Sequence, residues 1–267
     1  MAYKVLYRKY RPKDFNELYG QDTIKKLLIE SIKSEKISHA YLFSGPRGTG
    51  KTSTAKLFAK TINCENSQNG IPCNKCNSCL HYEENTDIIE IDAASNNGVD
   101  EIRELRENAK ILPTISKYKI YIIDEVHMLS QSAWNAFLKI LEEPPSHIIF
   151  ILATTEIQKI PVTILSRCQR YTFNKINNDT ITKNLELISK NENINITPEA
   201  LKYIAFLADG AMRDALSILD QLSKENIKID IELIQKTYGL IKDEEINAIF
   251  DNLSIGEINN FIKLITE

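Results

Sequence analysis

The chain has 267 residues, 43% of them hydrophobic and 26% charged, with a formal net charge of −3. Its length predicts two or three packed units, and no stretch approaches the roughly 18 consecutive apolar residues of a membrane span. A slightly acidic chain is poorly suited to grip nucleic acid alone, so any such contact must be local or shared with partner subunits.

The N-terminus, "MAYKVLYRKYRPKDF", is basic but has no apolar run and no small-residue cleavage site. That argues against a secretory signal and for the cytoplasm, where thiols stay reduced. Residues 21–34 predict a helix with Ile24, Leu27, Leu28 and Ser31 on one face. Strands and helices then alternate. The predicted strands are 39–44, 87–92, 119–124, 147–154 and "QRYTF" from Gln169; the predicted helices are 51–62, 98–110, 132–143 and 161–168. Continuous apolar strands between helices imply an α/β unit with a parallel sheet covered on both faces. After about Asn174 the strand pattern stops and four helices follow, one of them opened by Thr197-Pro198, a Thr cap with Pro in the first turn. The Asn- and Lys-rich run from Asn174 reads as a solvated helix and loop without functional content. The expected units are 1–174 and 175–240, with 241–267 beginning a third unit that is cut short.

The segment Gly45-Pro46-Arg47-Gly48-Thr49-Gly50-Lys51-Thr52, leading into Ser53, matches G-x-x-x-x-G-K-[ST] between an apolar strand and a helix. Glycines let backbone N–H groups turn toward phosphate oxygens, and the helix N-terminus adds positive dipole. Lys51 is expected on the β- and γ-phosphates of ATP and Thr52 on Mg²⁺. "IYIIDEVH" places Asp124 at the carboxyl end of a strand, where an α/β sheet presents ligand groups, so it is expected to hold Mg²⁺. Glu125 is expected to orient the attacking water, and His127 reads as a structural or surface histidine. At the end of the next strand Thr155, with Thr154 as second choice, can reach the water or the γ-phosphate. Arg167, in "SRC", is placed to serve a neighbouring subunit's nucleotide as an arginine finger, against the alternative of a surface ion pair. Arg213, in "MRDAL", can sense the nucleotide from the second unit, against the alternative of an ion pair with Asp214 or Asp209.

Four of the five cysteines, Cys64, Cys73, Cys76 and Cys79, follow the spacing C-x8-C-x2-C-x2-C. Four thiolates close a tetrahedral Zn²⁺ site with no open position, which is structural rather than catalytic. His81 is the alternative to Cys64. An iron–sulfur cluster, a redox thiol set and a nucleic-acid-gripping zinc knuckle are the competing readings, the last weakened by Glu65, Glu83 and Glu84. Cys168 stands alone.

The P-loop, the DE pair, "ATT", "SRC" and "MRDAL", in that order, resemble the AAA+ clamp-loader ATPases. The cysteine insert, "YRKYRPKDFNELYGQ", "EIDAASNNGVDEIR" and "PVTILSRCQRY" narrow the resemblance to the gamma/tau family of bacterial DNA polymerase III. The resemblance covers roughly residues 3–240. It implies an AAA+ ATPase unit, a helical lid and a helical collar, here truncated. It also implies a hetero-pentameric ring with other clamp-loader subunits that opens a sliding clamp and places it on primer-template DNA. By the same resemblance Arg8, Arg11, Pro12 and Tyr19 border the adenine or phosphate pocket; Asn96, Asn97 and Arg103, expected on the helix after "DIIEID", are candidates for DNA contact. Other AAA+ remodelling motors and an ATP-binding scaffold without turnover are the alternatives. No carboxylate pair is arranged for two-metal nucleotidyl transfer, so polymerase activity is not expected.

Overall fold

Five short segments, β1 (Ala40–Ser44), β2 (Ile88–Asp92), β3 (Lys119–Asp124), β4 (Ile148–Thr154) and β5 (Gln169–Thr172), pair in parallel in the order β2-β3-β4-β1-β5. The computed structural model describes residues 3–68, 70–82, 85–225 and 227–240. α1 (Leu6–Lys9) opens the chain, and around the sheet run α2 (Asp22–Lys33), α3 (Lys51–Ile62), α4 (Asn77–Leu80), α5 (Val99–Asn108), α6 (Gln131–Glu142) and α7 (Val162–Leu165). Side chains alternate along each central strand, so two cores form. Tyr41, Phe43, Ile120, Ile122, Ile149 and Ile151 pack with Leu28 of α2 and Phe58 of α3. Leu42, Tyr121, Ile123, Phe150 and Leu152 pack with Ile102 of α5 and Phe137 of α6. Each large apolar side chain buried this way contributes about 1.5–3 kcal/mol relative to exposure.

A helical unit follows, built from α8 (Asn178–Asn191), α9 (Pro198–Leu207), α10 (Met212–Leu222) and α11 (Ile231–Tyr238). Thr197 caps α9 by accepting the Ala200 N–H at 3.2 Å, with Pro198 in the first turn as expected. Among the described residues no helix is long and apolar enough to cross a membrane. The expected third unit, 241–267, lies outside the described residues.

Four expectations change. Leu27 is 53% exposed while Ile24 and Leu28 are buried; it sits at the edge of the apolar stripe of α2, where nothing covers it. The Asn-rich run is only half solvated: Ile181, Leu185 and Ile188 of α8 are buried at the centre of the helical core. Asn96 and Asn97 lie in the turn before α5, and only Arg103 is on that helix. Finally, the N-terminal turn packs on the helical unit. Leu6, Tyr7 and Tyr10 join its core, Tyr3 Oη and the Leu6 N–H both donate to the buried Asp220 carboxylate, at 2.7 and 2.8 Å, and Lys9 pairs with Glu192.

Candidate nucleotide site

Strand β1 ends at Ser44 and the chain turns at once into the loop 45–50, which the strand order places between β4 and β5. Gly45 is required there: its φ is +142°, and a Cβ would stand 2.2 Å from the Phe173 carbonyl oxygen. Gly48, at φ +75°, leaves room for the start of α10, since a Cβ would meet that of Ala211 at 2.6 Å. The loop thus sits directly against the helical unit. Pro46 and Arg47 are exposed, Thr49 is buried and bonds to the Pro46 carbonyl at 2.8 Å, and Ser53 is half-buried in the first turn of α3.

Lys51 is buried, and its ammonium donates to the Gly45 and Pro46 carbonyls, both at 2.8 Å. Burial pulls its pKa below the usual lysine range; the carboxylates of Glu125 and Asp124 act in the opposite direction. Thr52 Oγ1 donates to Asp124 Oδ2 at 2.6 Å, so the two expected magnesium ligands are already in contact. Oxygen ligands presented from one side under a phosphate loop are the kind Mg²⁺ takes. Asp124 also accepts the Glu125 N–H at 2.9 Å. Glu125 stands at φ +46°, ψ +43°, a left-handed conformation that is uncommon for a non-glycine residue. Thr155 Oγ1 donates to Glu125 Oε2 at 3.0 Å, which joins the two expected residues directly.

Other expected residues fall less evenly. Arg213 stacks over the Tyr7 ring, 4.9 Å from its centroid, and Arg8 lies 5.8 Å from the same ring. The expected alternative partner Asp209 instead pairs with Lys175 at 2.5 Å. Arg11 is exposed, and Pro12 and Tyr19 are half-buried. Arg167 pairs with Glu142 at 2.8 Å and donates to the Thr163 carbonyl. It stands two residues before Gln169, which pairs with Tyr41. It therefore lies at the start of the strands, whereas the loop follows their ends, roughly 10 Å or more away at ~3.3 Å per strand residue.

Two residues of this region were not singled out by the sequence reading as site residues. Gln21 is buried, donates to the Asn174 carbonyl at 2.7 Å and accepts the Asn174 N–H at 3.3 Å, tying α2 to the exit of β5. His127 is enclosed, 3.0 Å from Thr154 Oγ1. A histidine three residues past Asp124 was the available signal, but spacing alone does not say which way the ring turns.

The four expected zinc ligands converge. The sulfurs of Cys64, Cys73, Cys76 and Cys79 all lie within 4.8 Å of one another, and none is in a disulfide. Zn–S bonds of about 2.3 Å in a tetrahedron put sulfurs about 3.8 Å apart, so the donor set fits. Cys73 Sγ accepts the N–H groups of Lys75 and Cys76, which pull its thiol down to about 6. Burial pushes the Cys64 and Cys79 thiols up, and Cys168 up to about 12. Ser78 and Asn85 hold the insert to Ser116 beside the sheet.

This sheet order, loop and acidic pair define a P-loop nucleotide-binding protein of AAA+ architecture. Its fold is similar to that of the Thermotoga maritima RuvB Holliday junction branch migration motor, with a TM-score of 0.63 at 17% identity, over 93% of this chain and 80% of that one. A family model described as DNA polymerase III, delta subunit, matches residues 20–177, and one described as DNA polymerase III clamp loader subunit, ATPase lid domain, matches 180–230. The chain is 53% identical over 239 residues to DNA polymerase III subunit tau of Bacillus subtilis (strain 168), covering 88% of this chain and 42% of that protein. It is 41% identical over 270 residues to the Escherichia coli (strain K12) subunit tau, covering 100% of this chain and 42% of that protein. To the gamma subunit of Buchnera aphidicola subsp. Baizongia pistaciae it is 40% identical over 265 residues, 98% of this chain and 72% of that protein. The chain belongs to the DNA polymerase III gamma/tau family of clamp-loader subunits, and it spans about two fifths of the length of the tau proteins it matches.

Proposed function

We propose that this chain is an ATP-hydrolysing motor subunit of the bacterial clamp loader, working with other loader subunits in a hetero-pentameric ring that opens the sliding clamp and seats it on primer-template DNA. The observation that carries this reading is the contact of Thr52 with Asp124 beside Glu125, under a P-loop, in a gamma/tau family chain. The ATPase unit takes in residues 1–174, with the N-terminal turn reaching across to a lid formed by 175–240. The acidic charge suits a protein that holds DNA through the assembled ring, in the cytoplasm at replication forks.

On nucleotide binding, Lys51 exchanges the Gly45 and Pro46 carbonyls for phosphate oxygens, and the backbone N–H groups of 48–52 receive the rest. Thr52 and Asp124 would hold Mg²⁺, which would supply positive charge against the phosphates. Glu125 accepts a proton from and aligns the attacking water, and Thr155 holds Glu125. Arg213, two residues past the Ala211 contact with Gly48, reports the nucleotide to the lid, with Arg8 and Tyr7 beside it and Arg11 and Pro12 on the adenine side. Arg167 lies too far from its own loop to serve it, which supports action on the neighbouring subunit's nucleotide. Cys64, Cys73, Cys76 and Cys79 would hold Zn²⁺, which would fold the insert rather than serve hydrolysis.

Lys51→Ala should abolish ATP binding, read by isothermal titration; wild-type affinity in that variant would remove the P-loop reading.

A further inference from the structure

His127 takes no part in the chemistry above, yet its side chain is only 7% exposed and faces polar groups of the site on both edges of the ring. Nδ1 lies 3.0 Å from Thr154 Oγ1 and 3.4 Å from Glu125 Oε2; Nε2 lies 3.3 Å from Glu156 Oε1. The Thr154 hydroxyl already accepts the Glu156 N–H at 3.0 Å. Nδ1 either accepts the Thr154 proton, with the ring proton on Nε2 facing Glu156, or itself donates to Thr154 or Glu125, according to the tautomer. Glu156 is itself steadied by Lys159 at 2.8 Å. In either tautomer the ring edge stands against Glu125 Oε2. The same carboxylate oxygen accepts the Thr155 hydroxyl, 3.0 Å away. The backbone of Glu125 takes a left-handed turn, and these two neighbours both meet its carboxylate.

We propose that His127 is a positioning residue for hydrolysis. Anchored on Thr154 and Glu156, its imidazole walls one side of the Glu125 carboxylate and commits it to Thr155, in the orientation that serves the attacking water. The ring thereby ties Glu125 to the whole 154–156 turn, and a shift of that turn moves the water-orienting group with it. This rests on the ATPase reading above.

The test compares wild type, His127→Leu, His127→Gln and Glu125→Gln as full-length subunits in the assembled complex, with kcat and the ATP Kd measured for each. Leucine fills much of the ring's space without a polar atom; glutamine restores one donor and one acceptor. His127→Leu should lower kcat about tenfold or more, as misplacing a reacting group does, with Kd within about twofold, and His127→Gln should recover much of the loss. An unchanged kcat in His127→Leu beside an inactive Glu125→Gln would overturn the positioning role and leave the ATPase reading standing. Equal losses in both His127 variants, with a lowered Tm and weakened ATP binding, would mark a purely structural residue and also overturn it. Wild-type hydrolysis by Glu125→Gln would overturn the ATPase reading and this inference together.

Discussion

The four thiols of the cysteine cluster come from residues 64–79 and meet through local turns, with backbone N–H groups of the same segment turned toward Cys64 and Cys73. The proposed nucleotide site would draw Lys51, Asp124 and Thr155 from separate elements along the sheet, with Arg213 on α10, whose start meets the loop at Gly48. One site depends on loop spacing, the other on strand order. A local site can be lost without disturbing its neighbours, whereas a site spread over the sheet fails when any supporting element moves.

Outside both sites, the largest effect should come from Arg167. Arg167→Ala should slow hydrolysis in the assembled complex by about 10³-fold or more, the scale of arginine fingers, while nucleotide affinity of the isolated subunit stays at the wild-type value. An equal loss of activity in the isolated subunit would place Arg167 at its own nucleotide and undo the distance argument. Next, the purified subunit should carry about one zinc by elemental analysis and Cys76→Ser should lose it, with ATP affinity changed less than about threefold, because a structural zinc site stabilises its own fold element. A tenfold loss of ATP affinity would show that the insert and the nucleotide site are one unit.

Smaller effects probe what holds the two regions to the sheet. Leu28→Ala should cost about 2–5 kcal/mol in urea unfolding, and Leu27→Ala, one residue away, less than about 0.5 kcal/mol. Comparable losses would mean that Leu27 is covered in the working protein. Asp87 marks the seam beside the insert. Burial opposes its charge, yet the N–H groups of Thr114, Ile115 and Ser116 outweigh it and hold its carboxyl below the ordinary range. A depressed folded pKa stabilises above the unfolded value of about 3.9, and the contribution is lost as pH falls through the lower folded value. Asp87→Asn should therefore be less stable than wild type at pH 7, and the gap in denaturation midpoint should shrink as pH drops below about 4.

Much of this was legible in the sequence. Helix 51–62 and strand 119–124 occur at the expected residues, because glycine punctuation and an unbroken apolar run leave little choice. Thr52 and Asp124, 72 residues apart, could be paired in advance because strand ends and a P-loop share one edge of such a sheet. The misses have physical causes. Periodicity identified the face of α2 but not how far its cover extends, so Leu27 was placed inside. Composition made the Asn-rich run look solvated, although three buried aliphatics at helical spacing were enough to seat α8. Nothing in "YKVLYRKY" states that its apolar side chains pack on a helix bundle more than 170 residues away, where Asp220 accepts both Tyr3 and Leu6. His127 shows the same limit at the site itself, since its role depends on the direction of a ring.

The most direct measurement is steady-state ATP hydrolysis by the full-length subunit assembled with its loader partners, with and without sliding clamp and primed DNA. Hydrolysis should rise strongly when clamp and primed DNA are added together, and should vanish with Lys51→Ala. A rate indifferent to clamp and DNA, with ATP still bound, would contradict the assignment of this site to clamp loading.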